Sequence, residues 1–339
     1  MNKKKLLEKV AIPAISVLLA LVAGSLVLLI SGINPLILFE DMFKSTAADP
    51  NRWLLISSML VFTGLSVGFS YRGGLFNIGA EGQFIMSSLF VCYFAYNSNL
   101  PASLIPIVGI ILGFIVGALW TFLPGFLKAS YNISEVVVTI MLNWIAMYFS
   151  DFIIVQHYHQ AKSEQSTPIL PLDHMLTIHI GDQVINYGFI FGILAILAYW
   201  FILEKTTLGF EIKAIGSSPS ISEYTGISAK ARIIQTMMIS GGFAGVSGAI
   251  YSLSYPSIYS IGGAFTNYGF DGIAVALLGG LNGFGIMFSG MLLGALRNAE
   301  AALSIDRVAS EITDIIIALI ILFCIIGPII YKKIKKRGA

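Results

Sequence analysis

The chain has 339 residues, of which 56% are hydrophobic and 11% charged, and its mean hydropathy is +0.84. A soluble domain typically carries about 25% charged residues, so a water-soluble globular protein is excluded and there is no room for a large soluble domain. The net charge of +2 says little, and the two cysteines, Cys92 and Cys324, lie in apolar stretches where they read as small core hydrophobes rather than as a disulfide or metal pair.

Apolar runs long enough to cross a bilayer recur from end to end. Ten spans are expected, at roughly 10–31, 53–71, 75–96, 103–127, 134–155, 184–203, 233–254, 268–284, 286–303 and 312–331. The first follows Lys3-Lys4-Lys5 and is too long for a signal peptide without a small-x-small exit, so it reads as an uncleaved helix. With the N-terminus inside, fifteen of the 20 Lys and Arg fall on the cytoplasmic side, including Lys128, Lys213 and the Lys332–Arg337 cluster. Lys44, Arg52, Lys162 and Arg307 fall outside, and Arg297 lies within a span. Both termini are therefore expected in the cytoplasm.

The third span opens with Arg72-Gly73-Gly74-Leu75-Phe76-Asn77-Ile78-Gly79-Ala80-Glu81-Gly82-Gln83. Its glycines permit tight turns, and Asn77, Glu81 and Gln83 can satisfy the freed backbone. Two readings are open for Glu81: a residue of a transport pathway, or a cap that holds a helix start through the backbone dipole, and the cap is the favoured one. Arg72 either pairs with Glu81 or meets lipid phosphate. Glu135 reads as a cap or interfacial residue, and Asn143, mid-span, as an interhelical hydrogen-bonding group. His157 and His159 form a His-x-His pair without a third ligand, so no metal site is expected.

The loop 204–232 carries Gly209 and then Ser222-Glu223-Tyr224-Thr225-Gly226-Ile227. A short helix over about 218–226 would end at Gly226. A solvated loop and a helix seated in a partner's groove are both open readings of it. The seventh span has Gly241, Gly245 and Gly248 at spacings that let another helix approach closely. The eighth opens with Asn267-Tyr268-Gly269-Phe270-Asp271-Gly272, and Arg297 and Glu300 stand three apart on the ninth.

Asn-x-Gly-x-acid-Gly thus occurs at Asn77–Gly82 and again at Asn267–Gly272. The first copy starts at the inner face and the second at the outer face. Opposed copies are what an inverted repeat requires, with halves at 53–155 and 233–331. No phosphate loop, His-Glu-x-x-His or nucleophile-elbow pattern occurs, so no ATP site and no catalytic residue are expected in this chain.

Tyr71 to Gln83 resembles the signature of permease subunits of ABC importers in the branched-chain amino acid, ribose and nucleoside superfamily. The form Gly-Leu-Phe-Asn-Ile-Gly-Ala-Glu-Gly-Gln is similar to the nucleoside (simple-sugar) branch, as is Ser134–Asn143, and Thr207–Ile227 resembles the loop that meets the ATPase. The likeness runs from about Trp53 to Ile330.

The resemblance implies an all-α, ten-helix type II importer fold in a bacterial plasma membrane. It also implies three partners: a second permease in a heterodimer, a cytoplasmic ATPase that uses the ATP, and an extracytoplasmic substrate-binding lipoprotein. No cofactor is implied in this chain and no nucleic-acid partner; membrane lipid surrounds it. The expected substrate is a nucleoside. Ribose or another sugar is the first alternative, an ion-coupled secondary transporter using Glu81 and Asp271 the second, and a membrane scaffold without transport the third. Asn77, Glu81, Gln83, Asn143, Asn267 and Asp271 are expected to line the pathway or to act as structural helix breaks. Gly209, Ser222, Glu223, Tyr224, Gly226 and Ile227 are expected in the coupling loop, and Gly241, Gly245 and Gly248 in helix packing.

Overall fold

The computed structural model describes residues 22–30, 34–161, 163, 165–180, 183–218, 226–255, 265–305 and 313–323, with the single positions 19 and 326. Ser222, Glu223 and Tyr224, Cys324 and both basic termini lie outside the described residues. The helices are α1 (22–30), α2 (Leu36–Ala48), α3 (Pro50–Arg72), α4 (Ala80–Asn97), α5 (Ile105–Tyr131), α6 (Glu135–His157), α7 (Gly188–Lys205), α8 (Thr207–Ser217), α9 (Ala229–Ser252), α10 (Tyr268–Leu278), α11 (Gly283–Ile305) and α12 (Thr313–Phe323). Among the described residues, α3, α5, α6, α7 and α9 are long and apolar enough to cross a membrane. The chain is a predominantly helical, multi-pass membrane protein.

α3 and α9 are the buried centre. Every residue of α3 from Leu55 to Ser70 is buried, and α9 is buried almost without break from Ser240 to Ile250. In a bilayer, lipid is as apolar as leucine, so close packing and interhelical hydrogen bonds hold helices together. Small residues let the backbones meet: a Cβ on Gly245 would stand 2.9 Å from Gly117 Cα in α5, and one on Gly241 would stand 2.7 Å from Thr121 Cβ. Gly248 abuts the Phe84 backbone of α4, where its Cβ would come 3.0 Å from Phe84 C. Hydroxyls then bond across the seams. Ser247 donates to Met59 O at 2.9 Å, Ser240 to Ser66 O at 2.7 Å and Ser87 to Gly245 O at 2.5 Å.

Several boundaries differ from those expected. α2 occupies the segment between the first two spans. The sixth span starts at Gly188 rather than 184, because 183–186 form a strand (Gln183–Asn186) paired antiparallel with Thr177–Ile180. Asn186 Oδ1 accepts the Gly188 N–H at 2.8 Å, which turns strand into helix. The loop carries a helix at Thr207–Ser217, capped by Thr206, whose side chain accepts from Gly209 N at 3.1 Å; the short helix expected over 218–226 falls almost wholly outside the described residues. Gly226 follows it at φ +79°, a left-handed turn, and residues 219–225 lie outside the described residues.

The eighth span ends at Leu278 rather than 284. Gly280 (φ +60°) and Leu281 (φ +57°) reverse the chain into α11. α10 is therefore 11 residues long, about 16 Å, or half a bilayer.

Candidate functional site

α4 and α10 both begin inside the protein, at the two Asn-x-Gly-x-acid-Gly segments. A helix start leaves backbone N–H groups without intrahelical partners, and no water in a bilayer core can satisfy them. Each start is served from elsewhere in the fold.

At the first, Asn143 of α6 reaches across. Its Oδ1 accepts from Gly82 N at 2.9 Å and its Nδ2 donates to Ile78 O at 3.0 Å. This approach requires glycine at 82, since a Cβ there would sit 2.8 Å from Asn143 Oδ1. Asn77 and Gln83 exchange amide hydrogen bonds, at 3.0 Å from Asn77 Nδ2 and 2.9 Å from Gln83 Nε2. Asn77 also donates to Ser240 Oγ at 2.8 Å and accepts from Gly79 N at 3.0 Å.

At the second, the cap is Glu81, from the first segment. One carboxylate oxygen accepts from Thr266 Oγ1 at 2.6 Å and from Asn267 N at 3.0 Å, and the other accepts from Gly269 N at 2.6 Å. A Cβ on Gly269 would lie 2.6 Å from Ala80 C, so the two segments touch backbone to backbone. Asn267 takes the left-handed conformation, φ +67°, that precedes the helix. Glu81 also lies in the first turn of α4. One carboxylate thus faces the positive ends of two helix dipoles, the arrangement that favours an anion.

The polar chain continues outward. Asp271, in the first turn of α10, accepts from Arg297 of α11 at 2.7 and 3.0 Å. Arg297 also meets Glu300 at 3.2 Å and Asp314 of α12 at 2.7 Å. A bidentate guanidinium–carboxylate pair fixes both distance and plane.

The structure brings Asn77, Gln83 and Asn143 together around the first helix start, and Glu81, Asn267 and Asp271 around the second. Asn77, Glu81, Gln83, Asn143 and Asp271 are all buried. Arg72 does not pair with Glu81. Its guanidinium donates to Leu281 O at 2.9 and 3.2 Å, the carbonyl that also accepts from Tyr199 at 3.0 Å, because the α10–α11 turn presents that carbonyl to the end of α3. Glu135 meets Lys128 at 3.1 Å near the start of α6. Gly209 packs in α8, where its Cβ would stand 2.6 Å from Leu203 Cα, and Ile227 lies beyond the helix. Gly216 of α8 rests on the first interruption: its Cβ would be 2.8 Å from Gly74 N, and Gly74 has φ +71°.

Thr266, Ser66, Ser240 and Asp314 were not legible as site residues. Thr266 carried one signal, its place beside the second segment; isolated hydroxyls such as Ser66 and Ser240 carried none.

Two buried helix starts locked at the centre of a helical bundle define a membrane protein built around interrupted helices. The chain belongs to the branched-chain amino acid transport system permease component family, whose pattern matches residues 50–325. It is 36% identical to the guanosine ABC transporter permease protein NupP of Bacillus subtilis (strain 168), over 99% of both chains. It is 34% identical to the nucleoside ABC transporter permease protein NupB of Lactococcus lactis subsp. cremoris (strain MG1363), over 100% of this chain and 96% of that one. To the glucose ABC transporter permease protein TsgB13 of Haloferax volcanii it is 26% identical, over 92% of this chain and 86% of the other. No solved structure matches significantly.

Proposed function

We propose that this chain is the membrane permease subunit of an ATP-driven nucleoside importer. The carrying observation is the end-to-end similarity to a guanosine and a nucleoside permease, at 36% and 34% identity. The sugar reading is the runner-up, favoured by the glucose permease at 26%. The ion-coupled reading falls behind both, because Glu81 is held by three fixed donors and Asp271 by a bidentate arginine. Neither carboxylate is offered to a passing ion.

In this reading the chain works with a second permease, a cytoplasmic ATPase and an extracytoplasmic binding lipoprotein, with both termini inside. The halves 53–155 and 233–331 form an inverted repeat, supported by two interrupted helices that meet start to start. The 204–232 segment, containing α8, Gly209, Ser222, Glu223, Tyr224, Gly226 and Ile227, receives the ATPase. Its motion has a route inward through the Gly216–Gly74 contact to the helix break at Asn77. Outward and inward states then alternate through differential affinity for the substrate.

The test is uptake of labelled guanosine and uridine in cells lacking the chain, with and without its restoration, with ribose and leucine as competitors and an ATP-depleted sample alongside. Restored, ATP-dependent uptake blocked only by nucleosides is the expected result. Competition by free sugar alone moves the assignment to the sugar branch.

A further inference from the structure

Resting on the nucleoside reading, we infer that Trp144 and Tyr148 of α6, with Phe265 beside them, form the surface on which a nucleobase stacks during transport. α6 has two faces. Thr139, Leu142, Asn143, Ala146, Met147 and Ser150 are buried, while Val137, Met141, Trp144 and Tyr148 are exposed, Trp144 at 43% and Tyr148 at 59%. Their rings are stacked, with centroids 6.1 Å apart and planes 26° apart. Phe265 stands edge-on to Trp144 at 4.8 Å, and Phe270 edge-on to Phe265 at 5.3 Å.

Depth decides against lipid as the sole neighbour of this surface. Trp144 and Tyr148 are the tenth and fourteenth of the 23 residues of α6, so they lie near the middle of the span. Aromatic residues with a polar group concentrate at membrane interfaces, where that group is wet; mid-span, an indole N–H and a phenol O–H facing hydrocarbon go unsatisfied. The cluster is also anchored, through its sequence neighbours, at the junction of the interrupted helices. Trp144 follows Asn143, which bonds the start of α4, and Phe265 precedes Thr266, which bonds Glu81. A flat heterocycle is the ligand that such a surface holds, and stacking accepts any base because every base has a π-face.

The test places Trp144→Ala, Trp144→Phe, Tyr148→Ala and, as a control on the exposed face of α7, Phe201→Ala into the native chromosome. Initial uptake of labelled guanosine and uridine is then measured over a concentration series, and co-purification of the other transporter subunits is checked. Trp144→Ala is expected to raise KM about tenfold or more, as loss of one base–aromatic stack does, and more for the larger purine than for uridine. Trp144→Phe should keep most of the affinity, and Phe201→Ala should leave KM unchanged. Unaltered KM in Trp144→Ala overturns the inference, as does a fall in maximal rate equal for both nucleosides with KM intact. Loss of the second permease on purification assigns this face to the subunit interface and also overturns it. If the unmodified strain imports no nucleoside, the parent reading itself fails, and the stacking surface with it.

Discussion

At the residue scale the most informative group is Glu81. A lone buried carboxylate is expensive, yet this one accepts three hydrogen bonds and faces two helix starts. Its retention is explained by the helix ends it completes. Glu81→Gln removes the charge and turns one acceptor into a donor that faces N–H groups. It is expected to cost about 1.5–3 kcal/mol, the worth of a hydrogen bond to a charged group, read as a lower melting temperature of the detergent-purified protein. Thr266→Ala should cost less, because the two backbone donors remain. Equal melting of Glu81→Gln and the unmodified protein would remove the capping role. Asn143 behaves likewise: Asn143→Ala strips both bonds to Gly82 and Ile78 without adding bulk, and a similar loss is expected.

At the element scale, α10 is too short to cross a bilayer and depends on its neighbours. Glu81 holds its start, and Arg297 ties Asp271 in its first turn to α11 and α12. Arg297→Ala would leave Asp271 buried and unpaired, which typically costs about 3–5 kcal/mol. The double variant Asp271→Leu with Arg297→Leu should recover part of that loss. Thermal denaturation of the unmodified protein, Asp271→Leu, Arg297→Leu and the double variant distinguishes a coupled pair from two independent sites. The α5–α9 seam makes a separate prediction. Gly245→Leu drives a side chain into the α5 backbone at Gly113 and Gly117, so properly folded protein should fall sharply by size-exclusion chromatography. A variant with an unchanged elution profile would mean the helices are not held at this distance in the membrane.

At the scale of the whole molecule, the question is how a change at α8 reaches the centre. Gly226 sits at φ +79°, and among the described residues nothing lies within 4 Å of where its Cβ would stand. A valine there strains the turn, since β-branched residues avoid the left-handed region. Gly226→Val is therefore expected to abolish uptake while leaving membrane insertion and expression intact; normal uptake would sink the coupling role. Orientation is checked with an impermeant maleimide. Lys213→Cys should label only in opened cells, whereas Lys44→Cys should label in intact ones.

The sequence by itself determined the class. Charge content and the length of the apolar runs demand a multi-pass helical protein, because those properties depend on solvent transfer and need no neighbours. The repeated Asn-x-Gly-x-acid-Gly segments and the glycine spacing of Gly241, Gly245 and Gly248 were also visible, since glycine and buried acid are costly in isolated helices. Only the tertiary structure decided the partners. Glu81 lies 185 residues from Thr266, and Arg72 lies 209 from Leu281. No local pattern specifies that a carboxylate in one segment will cap the helix begun by the other. The glycine-rich run Gly279–Gly285 is visible in the sequence as an interruption of one long apolar stretch, but the reversal at Gly280–Leu281 that ends the eighth span at Leu278 was decided by the tertiary structure, because glycine permits a left-handed turn without specifying one.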